Sequence, residues 1–247
     1  MLEITNYTVD IHLNWNSTLA EIANCLYQIL SANDNRFTYT SGTDVITVDN
    51  KFNLVCSAKS SSSGRTSVQI DITPINDTSD VINSYYFKLI EGSSASSTVN
   101  SWVCTLMQSD NMYYLSVRGL YNGSIKSTTG GVFYWHVDNG HNYFGIISNG
   151  ASSTTSYTTW SIETMLITCP ENYSTTYQIR KFADYKLNNF DLFFAPISVM
   201  SDVSGEFVKL EELCSCSNVT YRNTISTNNK NYYALGTNTL IELPEES

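Results

Sequence analysis

Basic residues are scarce in this chain of 247 amino acids. Lysine and arginine together number 13, against 23 acidic residues, so the formal net charge is −10, and no stretch concentrates the cations. Proteins that bind nucleic acid neutralise its phosphates with clustered lysine and arginine side chains. The charge balance therefore argues against nucleic acid as a partner.

Long apolar runs are also lacking. No stretch approaches the roughly 20 apolar residues that a membrane-spanning helix needs. The N-terminus, MLEITNYTVDIHLNW, alternates polar and apolar residues, whereas a signal peptide has a basic region followed by an apolar one. We expect a protein without a membrane span that is made in the cytoplasm.

Familiar catalytic and metal-binding motifs are missing as well. The sequence contains no nucleophile elbow, no phosphate-binding or dinucleotide-binding glycine motif, and no His-Glu-x-x-His zinc motif. Its six cysteines show no paired zinc-type spacing, and we expect them to be reduced thiols that act as small apolar residues. These absences predict a protein that is not an enzyme and that holds no metal or other cofactor.

Aromatic and uncharged polar residues dominate what remains. The chain has 17 tyrosines and an aromatic fraction of 13%, while only 15% of its residues are charged. Period-two alternation recurs along the chain, as in the first strand, where Tyr7, Val9, Ile11 and Leu13 share one face. This composition and pattern are typical of β-sheets that meet other proteins or sugars.

One amphipathic helix interrupts the strands near the N-terminus. Thr18 and Glu21 have the spacing of a capping box, and apolar residues follow at helical intervals up to about Ser31. The whole pattern predicts an α+β fold that is predominantly antiparallel β and sandwich-like, with this single N-terminal helix. The only other stretch with some helical character is VKLEELCS.

Three regions are predicted along the chain. Residues 1–80 read as a β-α-β-β-β region, residues 81–185 as an antiparallel β-sandwich region, and residues 186–247 as a C-terminal β region. Only four prolines occur in the chain, so no strong linker separates the regions, and the three could form one continuous domain.

The densest set of chemically versatile residues lies in GVFYWHVDNGHNYFGII, residues 131–147. An Asn139-Gly140 turn would pair the two halves as a hairpin. Trp135 and its apolar neighbours would then line a buried face, and Tyr134, His136, Asp138, His141 and Tyr143 would line the opposite face. Two histidines and an aspartate on one face are potential metal ligands, but the flanking tyrosines and the exposed tip favour a contact surface or a plain solvated face.

A second candidate for contacts is the C-terminal stretch NYYALGTNTLIEL, which contains Tyr232 and Tyr233. Tyrosines provide large contact area at a small loss of side-chain entropy. We expect an assembly interface that uses this stretch or the hairpin.

The order of these parts resembles that of structural proteins of bacteriophage virions and phage-tail-like particles. The resemblance lies in the short helix after a first strand, the aromatic and Ser/Thr/Asn-rich β-sandwich middle, and the closing pattern from GEFVKL to KNYYALGTNTLIEL. It implies a homo-oligomer, or an assembly with other virion or tail proteins, located in the virion after assembly in the host cytoplasm. It implies no catalytic residues.

Two function classes remain open from the sequence. The first is a structural component of such a particle, which acts through protein-protein contacts. The second is a carbohydrate- or receptor-binding β-sandwich module, in which Trp160, Tyr157, Tyr134 or Tyr143 would stack on sugar rings. Aromatic residues that converge in a groove beside Asn and Asp would favour the second class.

Overall fold

The computed structural model describes most of the first 148 residues and parts of the remainder. The described residues are 3–148 without 15, 33, 63–64, 88, 90–97, 111, 122 and 139, and the segments 166–168, 176–180, 195–201, 207–215, 223–227, 229–234 and 239–243.

Within these residues the chain forms one helix and nineteen strands. The helix is α1 (Leu19–Ser31). The strands up to residue 148 are β1 (Glu3–Val9), β2 (Leu13–Asn14), β3 (Phe37–Tyr39), β4 (Val45–Val48), β5 (Phe52–Ser62), β6 (Arg65–Pro74), β7 (Asn83–Phe87), β8 (Thr98–Val99), β9 (Ser101–Gln108), β10 (Met112–Tyr121), β11 (Ser124–Asp138) and β12 (His141–Ser148). The later strands are β13 (Leu166–Thr168), β14 (Thr176–Arg180), β15 (Ala195–Ser201), β16 (Phe207–Ser215), β17 (Thr224–Thr227), β18 (Lys230–Ala234) and β19 (Thr239–Glu242).

The strands form three sheets. The largest has the order β1-β9-β10-β11-β12-β13-β14-β15-β16-β19-β18-β17, the second has the order β3-β4-β5-β6-β7, and β2 pairs with β8. Every described strand pair is antiparallel. The predicted fold class, α+β and predominantly antiparallel β with one N-terminal helix, is confirmed.

Helix α1 begins where the sequence predicts. The backbone N–H of Glu21 donates to the Thr18 hydroxyl at 3.2 Å, and the Glu21 carboxylate accepts from the Thr18 backbone N–H at 2.6 Å, which completes the capping box. At the other end, the carbonyls of Ile29 and Leu30 accept hydrogen bonds from the hydroxyls of Tyr7 and Tyr113. Two tyrosines of the largest sheet therefore satisfy carbonyls that the end of a helix leaves without an intrahelical partner.

One apolar core joins the helix and the two larger sheets. The rings of Phe52 and Phe144 lie 4.2 Å apart between centroids, and Phe37 contacts Trp135 edge to face at 6.2 Å. The Tyr85 hydroxyl donates to the Phe144 carbonyl at 3.3 Å. The five-stranded sheet therefore packs against strands β9 to β12 of the largest sheet.

Strand pairing crosses the boundary predicted near residue 80. Strand β1 pairs with β9, and β7 extends the sheet that contains β3 to β6. The C-terminal strands continue the sheet that β9 to β12 begin. The three predicted regions therefore share sheets.

One local prediction was wrong, and the possible helix in VKLEELCS is absent. The first strand ends at Val9 and resumes at Leu13 as the short strand β2, so residues 7–14 are not one continuous strand. The stretch VKLEELCS lies in strand β16, which pairs with β15 on one side and β19 on the other. Pairing on both sides supplies backbone hydrogen bonds that outweigh a weak helical preference.

Candidate contact surface

The hairpin of β11 and β12 has the predicted register. Asp138 lies opposite His141, His136 opposite Tyr143, and Trp135 opposite Phe144. Gly140 adopts a φ of 79° in the turn, a conformation that glycine reaches without steric cost.

One face of this hairpin is buried in the common core, as predicted. Trp135 is 1% exposed, and its indole N–H donates to the Asn142 side-chain oxygen at 2.8 Å. The Arg36 guanidinium lies 4.5 Å from the centre of the Trp135 ring, and the Phe144 ring stacks on the indole at 5.5 Å. Trp135 therefore joins the hairpin to the loop that follows the helix.

The opposite face is not solvated, and the expectation of an exposed contact surface was wrong for three of its residues. Tyr134 is 1% exposed, and His136 and Tyr143 are each 7% exposed. The neighbouring strand places Met112 beside His136 and Tyr114 beside Tyr134 on the same face, and both are also buried. Both faces of the sheet are therefore removed from water at this point.

The residues of this face differ in their surroundings. The His136 ring lies parallel to that of Tyr134, with 6.2 Å between centroids, and 6.5 Å from that of Tyr143. His141 is exposed beside the turn, and the Asp138 side chain lies outside the described part. His136 therefore packs between the rings of Tyr134 and Tyr143.

The C-terminal tyrosines lie on strand β18, with their side chains on opposite faces. Tyr232 is 8% exposed and packs with Ala234 and Leu240 in a small separate core, whereas Tyr233 is half-buried. Tyr232 therefore offers little surface to a partner, and Tyr233 offers more.

The sequence contained a signal for the burial of the hairpin's second face. VFYWHV and MYYLSV are nearly unbroken runs of large apolar and aromatic residues. Strands buried on both faces have such runs, whereas half-buried strands alternate.

A groove that the sequence analysis did not anticipate lies at the C-terminal end of α1. Its volume is about 1150 Å³, and one wall is formed by the end of the helix and the loop after it, the other by the start of β1 and the β9-β10 turn. Its lining residues are Glu3, Tyr27, Ser31, Ala32, Asp34, Asn35, Arg36, Phe37, Gln108, Ser109 and Asp110.

Arg36 is held in a fixed position at this groove. Its Nε donates to both Asp34 carboxylate oxygens at 2.9 Å, and its guanidinium stacks on Trp135. Burial alone would lower the pKa of Arg36, but the hydrogen bond and charge of Asp34, together with Asp49 and Tyr113, raise it above the usual value. Arg36 therefore stays charged and connects the groove to the core.

Tyr27 provides a supported aromatic ring in the lining. Its ring stacks on that of Tyr39, with 5.4 Å between centroids and 26° between planes. The Tyr39 hydroxyl lies between the carbonyls of Ala20 and Thr43, at 3.2 and 3.0 Å, and shares its single proton between these two acceptors. Because Tyr39 is anchored at both the helix and a loop, the Tyr27 ring is backed by a rigid neighbour.

No protein-family model, curated protein or solved structure matches the chain.

Potential metal ligands are dispersed over the described residues. Among them, no three His, Cys, Asp or Glu side chains are grouped so as to hold a metal ion. In the same part of the chain, no helix has the length and apolar character required to cross a membrane. The groove offers hydroxyl, amide, carboxylate and guanidinium groups around one aromatic ring, which suits reversible binding.

Proposed function

We propose that the chain is a structural component of a bacteriophage or phage-tail-like particle and acts through protein-protein assembly contacts. The observation that carries the proposal is strand β1 at the edge of the largest sheet. Among the described strands, β1 has a neighbour only on the side of β9. Asn6 and Thr8 on this strand are exposed.

The chemistry of β1 suits the addition of a further strand. Its sequence, EITNYTV, contains no lysine, arginine or proline, the residues with which proteins commonly protect an edge against pairing. Addition of a strand to a sheet edge supplies affinity through backbone hydrogen bonds. The partner is a second copy of this chain or another virion or tail protein, in keeping with the resemblance described above.

The assembly state of the purified chain tests this proposal. Mass photometry and negative-stain imaging should show a ring, a tube or another defined oligomer. The interface in that oligomer should bury more than the ~1,000 Å² that separates specific contacts from incidental ones. Thr8→Lys should weaken the oligomer because it places a charge on the edge strand. Ser57→Lys is the matched control, since Ser57 is exposed at the register shift of strand β5, which lies inside the second sheet and not at the edge of the largest one.

Two results would contradict the assembly role. One is a chain that stays monomeric at high concentration and shows no interface of that size in its native assembly. The other is an oligomer that Thr8→Lys and Ser57→Lys weaken equally, because the edge of β1 would then have no special part in the contact.

A carbohydrate- or receptor-binding module is the second candidate. Tyr134 and Tyr143 are buried and cannot stack on a sugar in this conformation, while Tyr157 and Trp160 lie outside the described residues. The groove beside Tyr27 favours this candidate, because an aromatic ring lines it together with the exposed residues Asn35 and Asp110.

A further inference from the structure

We propose that the groove at the end of helix α1 binds a neutral oligosaccharide, with Tyr27 as the stacking platform and the exposed Asn35 and Asp110 as the polar contacts. The inference rests on the second candidate function and is independent of the assembly role.

The size and polarity of the groove narrow the class of ligand. Its volume of about 1150 Å³ exceeds the ~300–1,000 Å³ of typical small-molecule pockets, which are lined mainly by apolar side chains. Here most of the lining is polar, and Phe37 is itself buried in the core. An extended, hydrated ligand with many hydroxyl groups fits this groove better than a compact apolar one.

The charge of the lining excludes an anionic ligand. Three carboxylates, Glu3, Asp34 and Asp110, face a single guanidinium, Arg36, which Asp34 already neutralises. The groove also lies at the C-terminal end of a helix, where the helix dipole is negative. A sugar that carries carboxylate or phosphate groups would be repelled, whereas the hydroxyls of a neutral sugar can donate to these oxygens.

The walls of the groove are preorganised. Asn35 lies between Asp34 and Arg36 in the chain; these two side chains are paired with each other, and the Arg36 guanidinium lies over the Trp135 ring. Asp110 belongs to the β9-β10 turn, which is closed by a backbone hydrogen bond from Ser109 to Met112 at 2.8 Å. Because both walls are fixed before binding, little entropy is lost when a ligand orders them.

Tyr27 gives the groove its selectivity for a sugar. Tyr39 covers one face of the Tyr27 ring, and Tyr27 is half-buried and lines the groove. An aromatic ring packs against the apolar C–H face of a sugar, while the neighbouring polar groups contact its hydroxyls.

A glycan-array screen of the full chain, followed by calorimetry with the best neutral oligosaccharide, tests the inference. Binding should persist in about 0.5 M sodium chloride, since neutral contacts are not screened. Tyr27→Ala and Asp110→Ala should each weaken it by about tenfold or more. His141→Ala, which changes an exposed residue in the hairpin, should leave the affinity unchanged.

Three outcomes would overturn the inference. They are the absence of binding to any neutral glycan, binding that Tyr27→Ala does not change, and binding only of oligolysine that is lost in high salt, which would mark a cation-binding groove. The oligomeric state of each variant is recorded in the same samples. A failed glycan screen with an intact oligomer would therefore overturn only the sugar-binding inference. A monomeric chain that binds a neutral glycan would overturn only the assembly proposal.

Discussion

Replacement of Trp135 by alanine should be among the most destabilising single changes in the chain. The side chain is 1% exposed and contacts three phenylalanine rings. Truncation of a buried tryptophan to alanine costs about 3–5 kcal/mol. The loss of the guanidinium contact with Arg36 and of the hydrogen bond to Asn142 adds about 1 kcal/mol each, so we expect a total of about 5–7 kcal/mol.

Trp135→Phe separates packing from the polar contacts. Phenylalanine keeps most of the ring contact but cannot donate to the buried Asn142 oxygen, so the expected loss is about 1–3 kcal/mol. Asn142→Ala, alone and combined with Trp135→Phe, should show a coupling of about 1 kcal/mol in a double-mutant cycle. The free energy of unfolding is measured by urea denaturation followed by far-UV circular dichroism.

The reasoning would be refuted by a loss below about 2 kcal/mol for Trp135→Ala, because such a small loss does not fit a core residue with these contacts. His141→Ala is the control from the same hairpin. It changes an exposed side chain, so its effect should stay within about 0.5 kcal/mol.

Three further predictions concern other parts of the chain. His136→Ala should lower the free energy of unfolding by about 1–3 kcal/mol, the range for a buried side chain, and an effect no larger than that of His141→Ala would show that this face is open. Thr18→Ala should lower it by about 1 kcal/mol while Thr18→Ser preserves the helix cap; equal losses in calorimetric melts would rule out the cap. Burial raises the pKa of Cys56 from 9.0 to about 12, so its thiol stays protonated in the folded state while the unfolded thiol ionises. The stability that this provides is complete below pH 9.0 and is lost as the pH rises towards about 12, so Cys56→Ala should show a shallower alkaline decline, and an unchanged decline would count against it.

Local sequence patterns were sufficient to predict the start of α1 and the register of the β11-β12 hairpin. The capping box of Thr18 and Glu21 predicted the start of α1, and the Asn-Gly turn together with alternation predicted the pairing of Trp135 with Phe144. Each of these depends on residues close together along the chain. The capping residues are three positions apart, and the paired residues flank one short turn.

The rest depends on residues that are distant in sequence. The apolar runs VFYWHV and MYYLSV signal that the face carrying His136 is buried, but alternation within one hairpin does not show which residues cover that face. The groove combines Tyr27 and Asp34 with Asp110, and no motif connects these positions. The pairing of β1 with β9 assembles one wall by placing Glu3 beside Gln108. The hydroxyls of Tyr7 and Tyr113 bond the same sheet to the end of α1 in the other wall.

That pairing also has a consequence for the order of events during synthesis. Glu3 pairs with Gln108, so the first strand leaves the ribosome long before its neighbour exists, and at about 5–20 residues per second the delay is roughly 5–20 s. Helix α1 and strands β3 to β6 are complete within that interval and can bury their apolar faces against each other. Strand β1 must wait, with Tyr7 and Val9 uncovered, and a cell that makes many copies at once exposes many such strands to one another. Slow translation between residues 80 and 108 would lengthen this exposure. Chaperones that hold extended apolar segments would reduce contact between the uncovered β1 strands of different copies.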